Sequence, residues 1–337
     1  MQAIVQEAYG APADVLELCE IEQPEPGDDE VLVRVRASSV HPDVWHAVTG
    51  VPYVLRLMGA GFRAPVQKVP GIDVAGVVES VGKRVTQFEP GDEVFGETVG
   101  GYQWKNGGAY AEFVAVAADA LVRKPANVTF EQAASVPTSG LIALQNLRGY
   151  NLQSGQRVLI NGAAGNVGSL AVQIAKAWGA EVTAVDRASK LDRLRSLGAD
   201  HVIDYLDEDF TQGSERYDLI LDVASTLTLA SCKRVLTPSG VYVLIGHDHF
   251  GQAKGRWLGS VPRALGLVLW SAVDTHVAGM RSHAAPASEP PQRVLAELLG
   301  AGKITPIIDR VFALPEVPSA MAYMVEGRAN GRIAVRV

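Results

Sequence analysis

Ala163, Gly165 and Gly168 stand at the spacing A-x-G-x-x-G, and the residues on either side decide what that spacing is worth. Arg157–Asn161 is a short apolar run with Val, Leu and Ile at its centre, the pattern of a buried parallel strand. Val167, Leu170, Ala171, Ile174, Ala175 and Trp178 then recur at helical spacing, and Gly179 sits where a helix C-cap glycine belongs. Glu181–Asp186 reads as a second strand. In such a unit the first helical amides, those of Asn166 and Val167, have no partner within the helix and face a place where a pyrophosphate can rest. Gly165 allows close backbone approach to the phosphates, Gly168 lets the helix lie tight on the strand, and Ala163 stands in place of the first glycine. The alternative is a β-α-β loop that holds no nucleotide.

Asp186 closes the second strand, where an acid accepts hydrogen bonds from an adenosine ribose and repels a 2′-phosphate. Arg187 follows it directly and Lys190 lies three residues further on, and both could swing over a 2′-phosphate and neutralise it. If neither does, Asp186 decides. These residues alone leave NADH and NADPH open.

The rest of the chain must position that unit. At 337 residues it is long enough for two domains with full cores. Lys and Arg number 30 against 37 Asp and Glu, a net charge of −7 with no basic run, which argues against a nucleic-acid partner. Cys19 and Cys232 are far apart and in no metal-type spacing. The N-terminus lacks a basic segment followed by an apolar one, and the most apolar stretch, Ala264–Val273, is too short to span a bilayer. These features lead us to expect a cytoplasmic protein without a membrane partner.

Residues 1–125 carry short alternating runs (Val31–Ala37, Val74–Val81, Glu93–Gly96, Glu112–Val116) punctuated by Gly and Pro, as in a barrel-like antiparallel region. From Phe130 to Ile245, strand-like runs (Val158–Asn161, Val182–Asp186, His201–Ile203, Leu219–Asp222, Val241–Ile245) alternate with helical ones, the pattern of a doubly wound sheet. Pro262–Met280 would complete its last helix and strand. The Pro- and Ala-rich loop Ala284–Pro291 leads back to the first region, with Val294–Leu299 as a helix and Ile333–Val337 as a strand.

Pro70–Glu97 reads PGIDVAGVVESVGKRVTQFEPGDEVFGE. Together with the later A-x-G-x-x-G unit it resembles the medium-chain dehydrogenase/reductase superfamily, and more narrowly its zinc-independent quinone oxidoreductase and enoyl reductase branch. Ser39–Gly50, Ala133–Gln145, Leu197–Tyr205 and Gly302–Val311 match as well, so the resemblance covers nearly the whole chain. It implies an α/β protein in which a doubly wound parallel-sheet (Rossmann) domain, residues 126–286, is inserted into a mostly β, GroES-like substrate domain formed by residues 1–125 and 287–337. Homodimers formed through the edge strands of the nucleotide domains are common among such relatives.

Alcohol dehydrogenases of this superfamily hold a catalytic zinc at three positions that correspond here to His41, Ile72 and Ser135. Only one of these could bind zinc, whereas a catalytic site needs three protein ligands, and two cysteines cannot build the four-cysteine lobe of a structural zinc. The clusters His41, Asp43, His46 and His247, His249 do not supply a convincing three-ligand set either, so no metal is expected.

Without a Lewis acid, the resemblance implies hydride transfer from NADPH, with NADH possible, to a quinone or an α,β-unsaturated carbonyl. Enoyl reductases of this branch place a tyrosine after an Asn-Pro-x-Asp segment as proton donor or enolate stabiliser. Here the segment begins at His41, with histidine in place of asparagine, and Tyr53 follows. Tyr53 and His41 are therefore the catalytic candidates, with packing as the other reading for Tyr53 and a helix N-cap as the first reading for Asp43. By the same matching Thr138 lies near the nicotinamide and Tyr205 near the adenine. Ala224, Ile245 and Gly246 line the dinucleotide at strand ends, and Asn330 and Arg332 touch it from the C-terminal segment. Two rival readings are a metal-free carbonyl or alcohol oxidoreductase and a catalytically silent NADPH-binding protein. For Val261–Val273 an ordinary core is favoured over a hydrophobic substrate mouth.

Overall fold

A computed structural model describes residues 1–99, 106–246, 257–259, 261–272, 274–277 and 289–337. Val31, Val33 and Val35 alternate with outward-facing Arg34 and Arg36, and this period of two fixes the register of a long strand, β3 (Glu30–Ser39). It follows a short hairpin of β1 (Gln2–Gln6) and β2 (Leu16–Glu20). Around β3 gather β4 (Asp73–Val81), β5 (Glu93–Glu97), β6 (Phe113–Ala117) and β7 (Leu121–Arg123), all antiparallel to their neighbours.

The second sheet is wholly parallel. It comprises β8 (Arg157–Asn161), β9 (Glu181–Asp186), β10 (His201–Asp204), β11 (Tyr217–Asp222) and β12 (Leu236–Leu244), in the order β10-β9-β8-β11-β12. The chain winds one way from β8 to β9 and β10 and the other way to β11 and β12. The carboxyl ends of β8 and β11 therefore flank a topological switch point, where such sheets bind ligands. The last strands, β13 (Ile308–Ala313) and β14 (Arg332–Arg336), return to the first sheet, where β14 pairs with β3. Chain from both ends thus builds this first sheet.

In chain order the helices are α1 (Pro12–Val15), α2 (Pro42–Thr49), α3 (Phe130–Ala134), α4 (Pro137–Gly149), α5 (Asn166–Ala177), α6 (Ala188–Ser196), α7 (Leu229–Lys233), α8 (Val261–Trp270), α9 (Pro291–Gly300) and α10 (Val317–Val325). α5 buries Val167, Leu170, Ala171, Ile174 and Ala175, the face its period marks, and ends as read, with Gly179 at φ 81° donating to Lys176 O. α4 packs on α5, and α9 on α4 through Leu295.

Two expectations change. His41 rather than Asp43 caps α2: its Nδ1 accepts from Asp43 N at 3.2 Å, and Pro42 at the first helical position puts the cap two residues earlier than the acid suggested. In α8, Leu265, Leu269 and Trp270 are exposed, so this apolar stretch is not ordinary core. His247, His249, Met280 and the 286/287 boundary lie outside the described residues.

Candidate coenzyme cleft and active site

A cleft of about 540 Å³ opens at the switch point, lined by Ala164, Gly165, Asn166 and Val167 from the glycine turn and by Val223, Ala224, Leu244, Ile245 and Gly246 from the ends of β11 and β12. Facing these are His41, Pro42 and Asp43, then Ile142 and Asn146 of α4, Lys190, and Met324, Ala329 and Gly331 near the C-terminus. Gly165 caps α5 without a side chain, which leaves the first amides of the helix facing the cleft. Gly168 lies behind it: a Cβ there would stand 2.4 Å from Gly162 O and 2.7 Å from the Ala163 Cα, so only glycine lets α5 approach this closely. Ala163 is wholly buried and does not line the cleft.

Asp186 is turned inward. Its Oδ2 accepts from Ala164 N and its Oδ1 from Arg187 N, both at 2.9 Å, so the carboxylate braces the glycine turn. Lys190 Nζ stands 4.0 Å from Asp186 and lines the cleft, while Arg187 Nε donates to the Tyr205 hydroxyl at 2.8 Å. Arg193 reaches the turn from below, donating to Ala164 O at 3.2 Å.

At the other end His41 is 4% exposed, with Nδ1 3.3 Å from Asp43 Oδ2. Burial acts most strongly and lowers its pKa, but the charge and hydrogen bond of Asp43, together with Asp73, outweigh burial and the Arg332 cation and hold it above the ordinary histidine value. Protonated, His41 donates from Nδ1 to Asp43; neutral with Nδ1 bare, it accepts from the Asp43 amide. Tyr53 lies elsewhere, in a pocket of about 470 Å³ with Val54, Arg56, Leu57, Phe62, Arg63, Trp257 and Leu258. Its ring meets Trp257 edge-on at 5.3 Å, and the Arg56 guanidinium stacks on it at 4.7 Å. The structure does not bring Tyr53 to the cleft that His41 lines.

Behind the cleft runs a buried polar network that the sequence did not reveal. Thr138 donates to Asp73 Oδ1 from N at 2.8 Å and from Oγ1 at 2.7 Å, and its Oγ1 lies 3.0 Å from Glu97 Oε1. Ser39 Oγ is 2.5 Å from Asp73 Oδ2. Arg332, 4% exposed, donates to Ser139 Oγ at 2.8 Å and to Asn166 O at 2.6 Å. Thr138 and Arg332 thus support the cleft wall, and exposed Asn330 sits between the lining residues Ala329 and Gly331. The one available signal for the network was an aspartate opening an otherwise apolar strand, Asp73 before Val74–Val78.

The zinc positions do not fit a metal. Ile72 is buried hydrocarbon and the Ser135 hydroxyl donates to Glu131 O at 2.7 Å, which leaves His41 alone. Among the described residues no group of three His, Cys, Asp or Glu side chains is placed to hold a metal ion, and no helix is long and apolar enough to cross a membrane.

Comparison with known proteins accords with this geometry. A family model described as alcohol dehydrogenase GroES-like domain matches residues 27–126, and one described as zinc-binding dehydrogenase matches residues 197–335. The chain is 35% identical to the mitochondrial NAD(P)H oxidoreductase RTN4IP1 of Mus musculus, covering 92% of this chain and 82% of that protein. The chain belongs to the medium-chain dehydrogenase/reductase superfamily, in its quinone oxidoreductase and enoyl reductase branch. Within that superfamily it is 32% identical to 2-methylene-furan-3-one reductase of Solanum lycopersicum, over 97% of this chain and 76% of that one. The quinone oxidoreductase of Coxiella burnetii superposes with a TM-score of 0.81 at 26% identity, over 100% of this chain and 99% of its own. Membership makes the chain an oxidoreductase that uses a nicotinamide coenzyme.

One expectation is overturned by these relatives. The mouse, cattle and human proteins are named mitochondrial, and quinone oxidoreductase QR1 of Triphysaria versicolor chloroplastic, which points away from a plain cytoplasmic location. Composition describes the folded domain, and a folded domain of one composition serves equally in the cytosol or an organelle.

Proposed function

We propose that this protein reduces quinones and α,β-unsaturated carbonyls with NADPH, NADH being the weaker coenzyme, and does so without a metal. The observation that carries the reading is the single cleft in which the uncapped N-terminus of α5 lies at one end and His41 at the other. Relatives named as NAD(P)H oxidoreductase, 2-methylene-furan-3-one reductase and quinone oxidoreductase support the acceptor class.

When bound, the reduced nicotinamide supplies a hydride. The amides of Asn166 and Val167 and the helix dipole hold the pyrophosphate. Ala224, Ile245 and Gly246 line the dinucleotide's path, and Asn330 closes it from the C-terminal side. Lys190 at the cleft wall and Arg187 beside Tyr205 meet a 2′-phosphate, while Asp186, already accepting two amides, has less capacity for ribose hydroxyls. The negative charge that develops on the acceptor oxygen draws a proton from His41, and the neutral ring keeps its contact with Asp43. Hydride and proton together give the hydroquinone or the saturated carbonyl. Tyr53 serves as a wall of the separate aromatic pocket. Residues 1–125 and 287–337 form the substrate domain around the nucleotide domain 126–286, and the protein assembles as a homodimer, which sedimentation measures.

The deciding experiment follows NADPH and NADH oxidation, with chelator present, across a quinone, an enone, an enal and a simple ketone. Turnover of quinone or enone with chelator present is expected. Turnover of the ketone alone would move the protein to carbonyl reduction, and NADPH binding without turnover would make it a binding protein.

A further inference from the structure

Asp73 and Glu97 face each other directly across the antiparallel pair β4–β5, both buried, at 2% and 5% exposure. Two like charges in that register repel, more strongly out of water. Between them stands one hydroxyl, Thr138 Oγ1, 2.7 Å from Asp73 and 3.0 Å from Glu97. A hydroxyl has a single hydrogen, so it donates to one carboxyl and must accept from the other. Asp73 takes the Thr138 amide as well, with the Ser39 hydroxyl on its second oxygen and the Arg332 cation nearby, the surroundings of an anion. The remaining proton belongs on Glu97.

We infer that Glu97 is a positioning residue: as a neutral acid it donates to Thr138, locks that hydroxyl onto Asp73, and so fixes the N-terminus of α4 and the coenzyme cleft that α4 walls. The lock reaches the cleft in two steps. Thr138 and Ser139 open α4, which carries Ile142 and Asn146 into the cleft, and Ser139 accepts from Arg332, whose second arm holds Asn166 O at the glycine turn. The groups facing Glu97 are Asp73 on β4, Thr138 on α4, and His41 and Asp43 at the start of α2, with Arg332 on β14 facing Asp73 and His41. With Glu97 neutral, Asp73 balances Arg332 and Asp43 balances protonated His41. With Glu97 ionised, the cluster carries an uncompensated buried charge. Burial, then the Asp73 charge, push the Glu97 carboxyl up to about 7, which puts the lock within the ordinary working range.

This inference rests on the coenzyme reading of the cleft, and its test separates the two. NADPH dissociation constants are measured by nicotinamide fluorescence from pH 6.5 to 8.5 for the wild type, E97Q and T138S, alongside infrared difference spectra of the carboxyl band. The wild type is expected to weaken by up to about 25-fold over that interval, as for binding to one protonation state. E97Q, whose amide donates as the neutral acid does, should bind with little pH dependence, and T138S should follow the wild type. The wild type should show a protonated-carboxyl band that disappears near pH 7 and is missing in E97Q. A pH dependence shared by E97Q and the wild type overturns the inference, as does the absence of that band. Should E97Q not fold, the wild-type band decides alone. Failure to bind NADPH at any pH sinks the coenzyme reading and leaves the infrared result standing.

Discussion

On the proposed mechanism His41 is the residue on which proton delivery turns. Its pKa is raised in the folded protein, so its acid form dominates below that value and is lost as pH rises through it. Turnover should therefore fall on the alkaline side. H41Q keeps a polar side chain but has no proton to lose, and its kcat should drop about 100-fold or more with the NADPH dissociation constant little changed. At saturating NADPH, which removes the effect of Glu97 on coenzyme binding, a stopped-flow pH profile should show the alkaline limb in the wild type and not in H41Q. An unchanged limb in H41Q would assign the proton to another group. The sequence pointed to His41 through the segment around it but could not reveal its companions. Asp73 and Glu97 meet only because β4 and β5 pair in one register, and Thr138 joins them from a helix far along the chain.

Among the elements, the strand-turn-helix unit was the most legible, because its period switches from strand to helix within a few residues and glycine marks both helix ends. Gly165 and Gly168 within it separate by what surrounds them. A Cβ on Gly165 meets only Gly162 O, at 3.2 Å, whereas one on Gly168 would run into backbone at 2.4 Å. G165A should leave thermal stability nearly unchanged and weaken NADPH about 10-fold or more by crowding the phosphates. G168A should itself lose about 1–3 kcal/mol of stability, as overpacking does. Thermal melts with and without NADPH tell the two apart; equal melting points for both variants would refute the assignment. Less legible was α8, whose apolar composition resembles core and whose exposed face is visible only once its neighbours are placed. In α6, Lys190 and the preceding Arg187 are the residues to which the proposed function gives coenzyme choice. Replacing both by alanine should lower kcat/KM for NADPH about 10- to 100-fold, the range of one or two charge-assisted hydrogen bonds, and barely affect NADH. Equal losses with both coenzymes would exclude recognition of the 2′-phosphate.

At the scale of the whole molecule, the two sheets must keep their relative placement for the cleft to exist, and Arg332 is one of the buried side chains that tie them together. It rises from the last strand, which pairs with β3, and its two arms end on Ser139 of α4 and on the carbonyl of Asn166 at the glycine turn. Burial, opposed by the Asp73 charge, lowers its pKa to about 10, still well above neutrality, so it remains a cation without bulk water and depends on Asp73 for compensation. The sequence resemblance assigned Arg332 to the coenzyme; the structure places it one layer behind, where only the folded chain brings the C-terminal strand to the turn. Removing the cation should therefore damage more than binding. R332A leaves Asp73 buried and uncompensated and should lose about 3 kcal/mol or more of stability, read by chemical denaturation of the coenzyme-free protein. R332K keeps the charge but cannot hold Ser139 and Asn166 O at once, so it should recover most of that stability while NADPH still binds about 10-fold more weakly. If R332K restored binding fully, charge alone would join the sheets; if R332A were as stable as the wild type, the seam would be held by its apolar contacts.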